Sequence, residues 1–378
     1  MSAFPPVFFL EALYFNQALF YKIIMKKSSL LFIGFFLLLS HPAFGREWRE
    51  VAPGDTVKLP ADLYFQKEYR VQWWYFTGHL FDANGREFGY ELTFFTAGIQ
   101  KRAYRSKFGM NTVYLSHFAV SDIAGKKYYH FSNADAGAYN FAGADGKRLH
   151  VWVGTRSLEG TLRKIHIRAR ANDVGLDLVL TAEKPAVLNG EQGYSRKSEE
   201  SPLFASRYFS STALQTTGTL KFRNAVFPVK GKSWFDRELS SQGLSKSEAG
   251  WDWFALQLDD GREIMLYELR KKDGAIDRYS SGTLVSKDGG YRHLGKSDFS
   301  VSVLDHYRSG HTGARYPSQW EIAIPSEGLK LRITPLLQDQ EFTDSSALGK
   351  AYWEGACRVE GSAGGRAYVE MTGYDKQE

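Results

Sequence analysis

Two segments of this chain echo each other, and the echo constrains the fold more than any other feature. The first reads Val71-Gln-Trp-Trp-Tyr-Phe-Thr-Gly-His-Leu, an Asp-Ala-Asn-Gly turn, then Arg86-Glu-Phe-Gly-Tyr-Glu-Leu-Thr-Phe-Phe. The second reads Gly250-Trp-Asp-Trp-Phe-Ala-Leu-Gln-Leu, Asp-Asp-Gly, then Arg262-Glu-Ile-Met-Leu-Tyr-Glu-Leu. Each is a Trp-rich strand pair closed by Asn-Gly or Asp-Gly, the strongest short-range hairpin signal. Roughly 175–180 residues separate them, about one closed β-domain. Duplication of a β-domain explains the shared Trp, Gly-Arg-Glu and Tyr-Glu-Leu elements, so two related domains are expected.

Turn signals then recur along the chain, at Ala124-Gly, Asp145-Gly, Asn189-Gly, Asp273-Gly and Asp288-Gly-Gly. Between them lie short runs that alternate apolar and polar residues, such as Leu149-His-Val-Trp-Val and Leu176-Asp-Leu-Val-Leu. No helical period is sustained. The fold class is therefore all-β, with barrel or sandwich architecture. We place a first domain over residues 46–240 and a second over 241–378, divided near Gln242-Gly-Leu-Ser-Lys-Ser-Glu-Ala.

The N-terminus reads as a leader. Met25-Lys-Lys, the apolar run Leu30 to Leu39 and Ser40-His-Pro-Ala-Phe-Gly45 give a charged start, an apolar stretch and a small-residue cleavage site. Residues 1–24 read as an upstream extension, and residues 25–45 as a signal peptide cleaved after Gly45. A single anchor over residues 7–39 is disfavoured by Glu11, Asn16, Lys22 and the two lysines inside it. The expected location is periplasmic or secreted. Cys357 is the one cysteine, so neither an internal disulfide nor a thiolate metal cluster can form. The formal charge of +6 is dispersed among acids, without the basic stripe that nucleic-acid binding wants. Aromatic residues make up 15% of the chain, enough to fill a core or line an apolar cavity.

Several side chains could carry chemistry. If the first turn has two or four residues, even positions on the incoming strand pair with odd positions on the outgoing one. Trp74 then shares a face with Glu91, and Trp73 and Tyr75 lie on the other; both faces are aromatic, so which one is interior stays open. Glu91 beside indole and phenyl rings would be desolvated and its pKa raised, making it a candidate acid. In Lys232-Ser-Trp-Phe-Asp-Arg-Glu, an extended backbone projects Trp234, Asp236 and Glu238 from one face. Two carboxylates that close cannot both ionise cheaply, which suits a general acid; the alternative is an edge strand neutralised by Arg237, Lys230 and Lys232. Counting Asp260-Gly261 as the second loop puts Trp251, Trp253 and Glu268 on one face and Tyr267 on the other. His117 is a candidate base or polar anchor. No nucleophile elbow, zinc-protease helix, phosphate loop or Cys-x-x-Cys is present, and His306 and His311 lack an obvious third ligand, so no cofactor or metal is expected.

Gln72-Trp-Trp-Tyr-Phe-Thr-Gly-His-Leu, Gly193-Tyr-Ser-Arg-Lys, Gly231-Lys-Ser-Trp-Phe-Asp-Arg-Glu, Gly250-Trp-Asp-Trp-Phe-Ala-Leu-Gln-Leu-Asp-Asp-Gly, Thr312-Gly-Ala-Arg-Tyr-Pro and Tyr352-Trp-Glu-Gly-Ala together resemble the AttH-like and carotenoid 1,2-hydratase-like family. The resemblance covers nearly all of the chain after the leader. It implies two tandem lipocalin-like antiparallel barrels, relatives that hydrate an isolated alkene or shape polyketide cyclisation, and bacterial members encoded beside ABC-type exporters. Hydration of an unactivated alkene needs a neutral carboxylic acid in a dry pocket, and π-faces to stabilise the cation that forms. In the carotenoid branch the Trp-x-Asp element is followed by His-Asn, whereas here Arg237-Glu238 follows.

Three functional readings follow. One is an exported barrel protein binding an apolar or amphipathic small molecule or lipid, accessory to an ABC-type permease complex. The second is a hydratase- or hydrolase-type enzyme that protonates an alkene or ester-like substrate, with Asp236 as acid, Glu238 as its coupled partner, Glu91 and His117 nearby, and Trp73, Trp74, Tyr75, Trp234, Trp251, Trp253 and Tyr267 around the ligand. The third is a scaffold. The pocket is expected in the first barrel or at its junction with the second.

Overall fold

The computed structural model describes residues 48–99, 111–223, 225–343 and 351–374; the leader and the upstream extension lie outside them. Strands between Val71 and Ser240 form one 13-stranded antiparallel sheet, and strands between Glu248 and Met371 form a 10-stranded one. Each sheet curls, giving a barrel and a half-barrel, as two lipocalin-like units should. The polar stretch from Gln242 separates the last strand of the first sheet, Ala225–Ser240, from the first strand of the second, Glu248–Leu258.

The two hairpins have the same turn, and it is neither of the lengths expected. Asp82 and Arg86 pair across Ala83-Asn84-Gly85, and Leu258 and Arg262 pair across Asp259-Asp260-Gly261. Each loop has three residues and closes on a left-handed glycine, Gly85 at φ 78° and Gly261 at φ 87°. An odd loop makes like parities pair. Thr77 therefore faces Glu91 and Tyr75 faces Thr93, while Trp253 faces Tyr267 and Asp252 faces Glu268. The expected grouping of Trp74 with Glu91 is overturned, as is that of Trp253 with Glu268.

This register decides which side of each sheet does what. Trp74, Phe76, Phe88, Tyr90, Leu92 and Phe94 point into the first barrel and fill it. Phe254, Leu256, Ile264, Leu266, Trp320 and Trp353 fill the second. The opposite faces, carrying Tyr75, Tyr208, Trp234, Trp253, Tyr267 and Tyr368, pack against each other as a third buried layer. Even the shared Tyr-Glu-Leu splits: tyrosine follows the arginine by four residues in Arg86–Tyr90 and by five in Arg262–Tyr267. The single-residue offset turns Glu91 toward the layer between the barrels. It turns Glu268 to the other face, where Lys296 Nζ pairs with it at 3.0 Å.

Candidate active site between the two barrels

Directly paired residues of neighbouring strands form rows across each sheet. On the first sheet one row runs Ala119, Glu91, Thr77, Trp234, and the next runs His117, Thr93, Tyr75, Asp236, Ser210. A third runs Leu115, Phe95, Trp73, Glu238, Tyr208. The facing sheet contributes a row of Glu354, Glu370, Trp253, Tyr267, Ser281. Hydrogen bonds cross between the sheets. The Tyr75 hydroxyl donates to Glu354, His117 Nδ1 bonds the Tyr352 hydroxyl at 2.7 Å, and the Trp253 indole N–H donates to the Tyr208 hydroxyl at 3.1 Å.

Three glutamates meet here from two barrels. Glu91 is fully buried, and among the described residues the one side chain that hydrogen-bonds its carboxyl is Thr93, its neighbour two residues along the strand. Burial pushes its pKa up to about 8; the Arg156 guanidinium opposes the rise and Glu370 adds to it. Burial, with Glu91 and Glu370 nearby, raises Glu354 well above the carboxylate range despite hydrogen bonds from Tyr75 and Tyr352. Glu370 is also raised to about 8, mainly by burial; the Trp251 side chain donates to it, and Glu238 and Asp236 repel its charge. Protons are thus held at neutral pH in a layer of aromatic rings, the condition for a general acid.

Asp236 and Glu238 form the second acidic group. Asp236 accepts from the Tyr208 hydroxyl at 2.5 Å, the Ser210 hydroxyl at 2.5 Å and the Trp234 indole N–H at 2.7 Å. Burial lifts its pKa to about 7, against those three donors and with help from Glu238. Glu238 accepts from Ser206 and lies 3.6 Å from Lys197 Nζ. The Lys197 ammonium also sits 4.2 Å from the Tyr267 ring centroid and 4.8 Å from that of Tyr208, within cation–π range. The layer reaches solvent along half-buried Trp73, Trp251, Glu370 and Lys197.

The expected residues divide accordingly. Asp236, Glu238, Glu91, His117, Trp73, Tyr75, Trp234, Trp251, Trp253 and Tyr267 all lie on the faces that form the layer. His117 stacks on Phe342 at 4.4 Å between ring centroids, which fits an anchor as well as a base. Trp74 does not join them. It is buried inside the first barrel, its indole N–H on the Leu63 carbonyl at 2.9 Å and its ring 3.9 Å from the Arg237 guanidinium. Arg237 likewise points inward, donating to Gln72 and Tyr64 at 2.9 Å, so it does not neutralise the acids beside it in sequence. Sequence reasoning missed Glu354, Glu370, Lys197, Tyr208, Tyr352 and Tyr368. A signal existed for the two glutamates: Ala351-Tyr-Trp-Glu-Gly-Ala-Cys and Ala367-Tyr-Val-Glu-Met each set one carboxylate within a short apolar run. Among the described residues, no group of three or more His, Cys, Asp or Glu is arranged to hold a metal ion, and no helix is long and apolar enough to cross a membrane.

The AttH-like profile matches residues 50–374. The chain belongs to the AttH-like family. Similar structures include an AttH protein of Nitrosomonas europaea, 31% identical, with a TM-score of 0.79 over 86% of this chain and 99% of that one. The fold is shared with kievitone hydratase of Nectria haematococca, 16% identical, with a TM-score of 0.63 over 86% of this chain and 96% of that one. In sequence, a dehydratase of Emericella nidulans, asqC, is 23% identical over 249 residues, which is 63% of this chain and 68% of that protein. One relative in sequence is thus named a dehydratase, and one protein that shares the fold is named a hydratase.

Proposed function

We propose that this member of the AttH-like family is a hydro-lyase acting on an amphipathic molecule in the layer between its barrels. The observation that carries the reading is the meeting of Glu91, Glu354 and Glu370, one from the first barrel and two from the second, with their protons retained by burial. Addition or loss of water needs a group that gives a proton to carbon or to a leaving hydroxyl, and a base that takes one. The buried glutamates suit the acid role, and one that has given its proton can take another from water. Asp236, oriented by three donors, adds a further titratable group on the same face. Tyr75, Trp234 and Trp253 offer π-faces to positive charge developing on the substrate.

The test is a panel of amphipathic alkenes and alcohols, each with an aromatic or polyene body, incubated with the protein in ¹⁸O-labelled water and followed by mass spectrometry. Gain of labelled water, or loss of water, that disappears in Glu354→Gln is the expected result. If no compound is turned over while native mass spectrometry finds a lipid-like ligand bound, the protein is a carrier and the enzymatic reading fails.

The leader pattern of residues 25–45 supports a further part of the proposal, that the chain works in the periplasm or outside the cell; the partner proposed there, an ABC-type permease complex, rests on the family resemblance alone. Terminal sequencing of protein from the periplasmic fraction should begin at Arg46, and the permease should co-purify from detergent extracts. A retained leader in a cytoplasmic fraction overturns export.

A further inference from the structure

Beside the acid trio lies a void of about 10 Å³, lined by Thr77, Gly78, His79, Trp234, Ala255, Gln257, Arg366, Ala367 and Tyr368. Most of its polar neighbours are already engaged. His79 bonds Glu87 and the Ala367 carbonyl at 3.0 Å, Gln257 donates to the Thr212 and Ser233 carbonyls, and Arg366 pairs with Glu87 at 2.7 Å. Two are not. The Thr77 hydroxyl and the Tyr368 hydroxyl are buried and have no hydrogen-bond partner among the described residues. They come from opposite barrels and reach the same void. Thr77 is paired directly across the strands with Glu91, and Glu91 is close enough to the Tyr368 phenol to repel its ionised form.

A buried hydroxyl left without a hydrogen bond is destabilising, so two that line one space require an explanation. A space of this size suits one water molecule, which needs two to four polar partners. The Thr77 and Tyr368 hydroxyls, both lining the space, can supply two, with Glu91 on the next strand beside Thr77.

We propose that this void is a water site, and that the water it holds is the molecule added to, or released from, the substrate. The second half rests on the hydro-lyase reading; the first does not. In addition, the Glu91 carboxyl proton passes to one alkene carbon as the π pair forms the new C–H bond. A lone pair of the water oxygen closes the C–O bond at the neighbouring carbon, and a proton of that water returns to the Glu91 carboxylate. Elimination runs the same steps backwards. Thr77 and Tyr368 are positioning residues: they hold the oxygen while Glu91 handles the proton.

The decisive measurement is an atomic-resolution crystal structure of the chain, read beside ¹⁷O relaxation dispersion, which detects long-lived internal water. A water within hydrogen-bonding distance of Thr77 and Tyr368 is expected in the wild type, with a dispersion amplitude that falls in Thr77→Val/Tyr368→Phe. Direct packing of the two side chains without a water, or an unchanged amplitude in a folded double variant, overturns the site. Should the double variant not fold, the wild-type crystal structure alone decides. With any substrate the labelled-water panel identifies, Thr77→Val should lower kcat about tenfold or more and leave KM within about twofold; unchanged kcat removes the catalytic half. The two ideas fail separately. A bound water with no turnover sinks the hydro-lyase reading alone, and turnover with no bound water sinks the water site alone.

Discussion

The interiors of the barrels and the layer between them are two sides of the same strands, yet they follow different chemistry. Inside the first barrel, Phe76 stacks on Phe235 at 4.6 Å between ring centroids, and Leu, Ile, Val and Phe fill the remaining space. Between the barrels, buried carboxylates, tyrosines and tryptophans bond one another across two sheets. A lipocalin-like fold invites a search for the ligand within the barrel. Here the interiors are occupied by packed side chains, and the outward faces hold the buried acids Glu91, Glu354 and Asp236. The comparison teaches that a duplicated barrel can turn its outer surface into an enclosed site by covering it with its own copy, so that burial and polar chemistry coincide where neither half alone provides them.

If that division holds, changes in the layer should act on reaction and changes in the interior on stability. The largest expected effect is on turnover. Glu91→Gln keeps volume but removes the transferable proton, so kcat should fall by about 10²–10⁴, with a melting temperature close to that of the wild type. A variant that turns over normally would remove Glu91 from the chemistry. Next come the tryptophans. Trp320→Ala in the second interior and Trp253→Ala in the layer should each lose about 3–5 kcal/mol in denaturant titrations. Only Trp253→Ala should also lose activity per folded molecule; equal activity loss in both would erase the distinction.

Smaller effects sharpen it. Glu91 binds its proton more tightly in the folded chain than in the unfolded one. The stability it contributes is therefore complete below about pH 4.5 and is lost as pH rises to about 8, by about 1 kcal/mol per unit. Denaturant midpoints should decline across that window and flatten beyond it, with a shallower decline in Glu91→Gln; a midpoint that rises over the same range contradicts the buried acid. Asp236→Asn turns an amide NH₂ toward hydroxyl and indole donors, and should cost about 1–3 kcal/mol as well as activity. Trp251→Phe removes one donor to half-buried Glu370, and a loss of about 1 kcal/mol or less by thermal melting is expected.

Much of this fold was legible in the chain. Asn84-Gly and Asp260-Gly marked the two hairpins, and period-two alternation marked the strands. The projection of Trp234, Asp236 and Glu238 from one face needed only an extended backbone. What local pattern could not supply was loop parity. Asn-Gly and Asp-Gly suit two-residue turns, but the pairing Asp82–Arg86 leaves three residues in the loop, and that one residue reassigns every side chain of the hairpin. Glu354 and Glu370 escaped for a different reason. Each sits in an apolar run whose neighbours announce a core strand, and their meeting with Glu91, more than 260 residues away, depends on how two finished sheets dock.

The layer also gives assembly a direction in time. The first sheet is complete at Ser240, before the ribosome has made the first strand of the second at Glu248. The faces that carry Glu91 and Asp236 are covered only when that copy packs on them, and an uncovered carboxyl is solvated by water and favours its charged form. Closure of the second barrel excludes that water and draws protons from the surrounding solution onto Glu91, Glu354 and Glu370. Joining of the halves is thus linked to proton uptake: the pair closes by consuming acid, and the site is armed in the act of being shut.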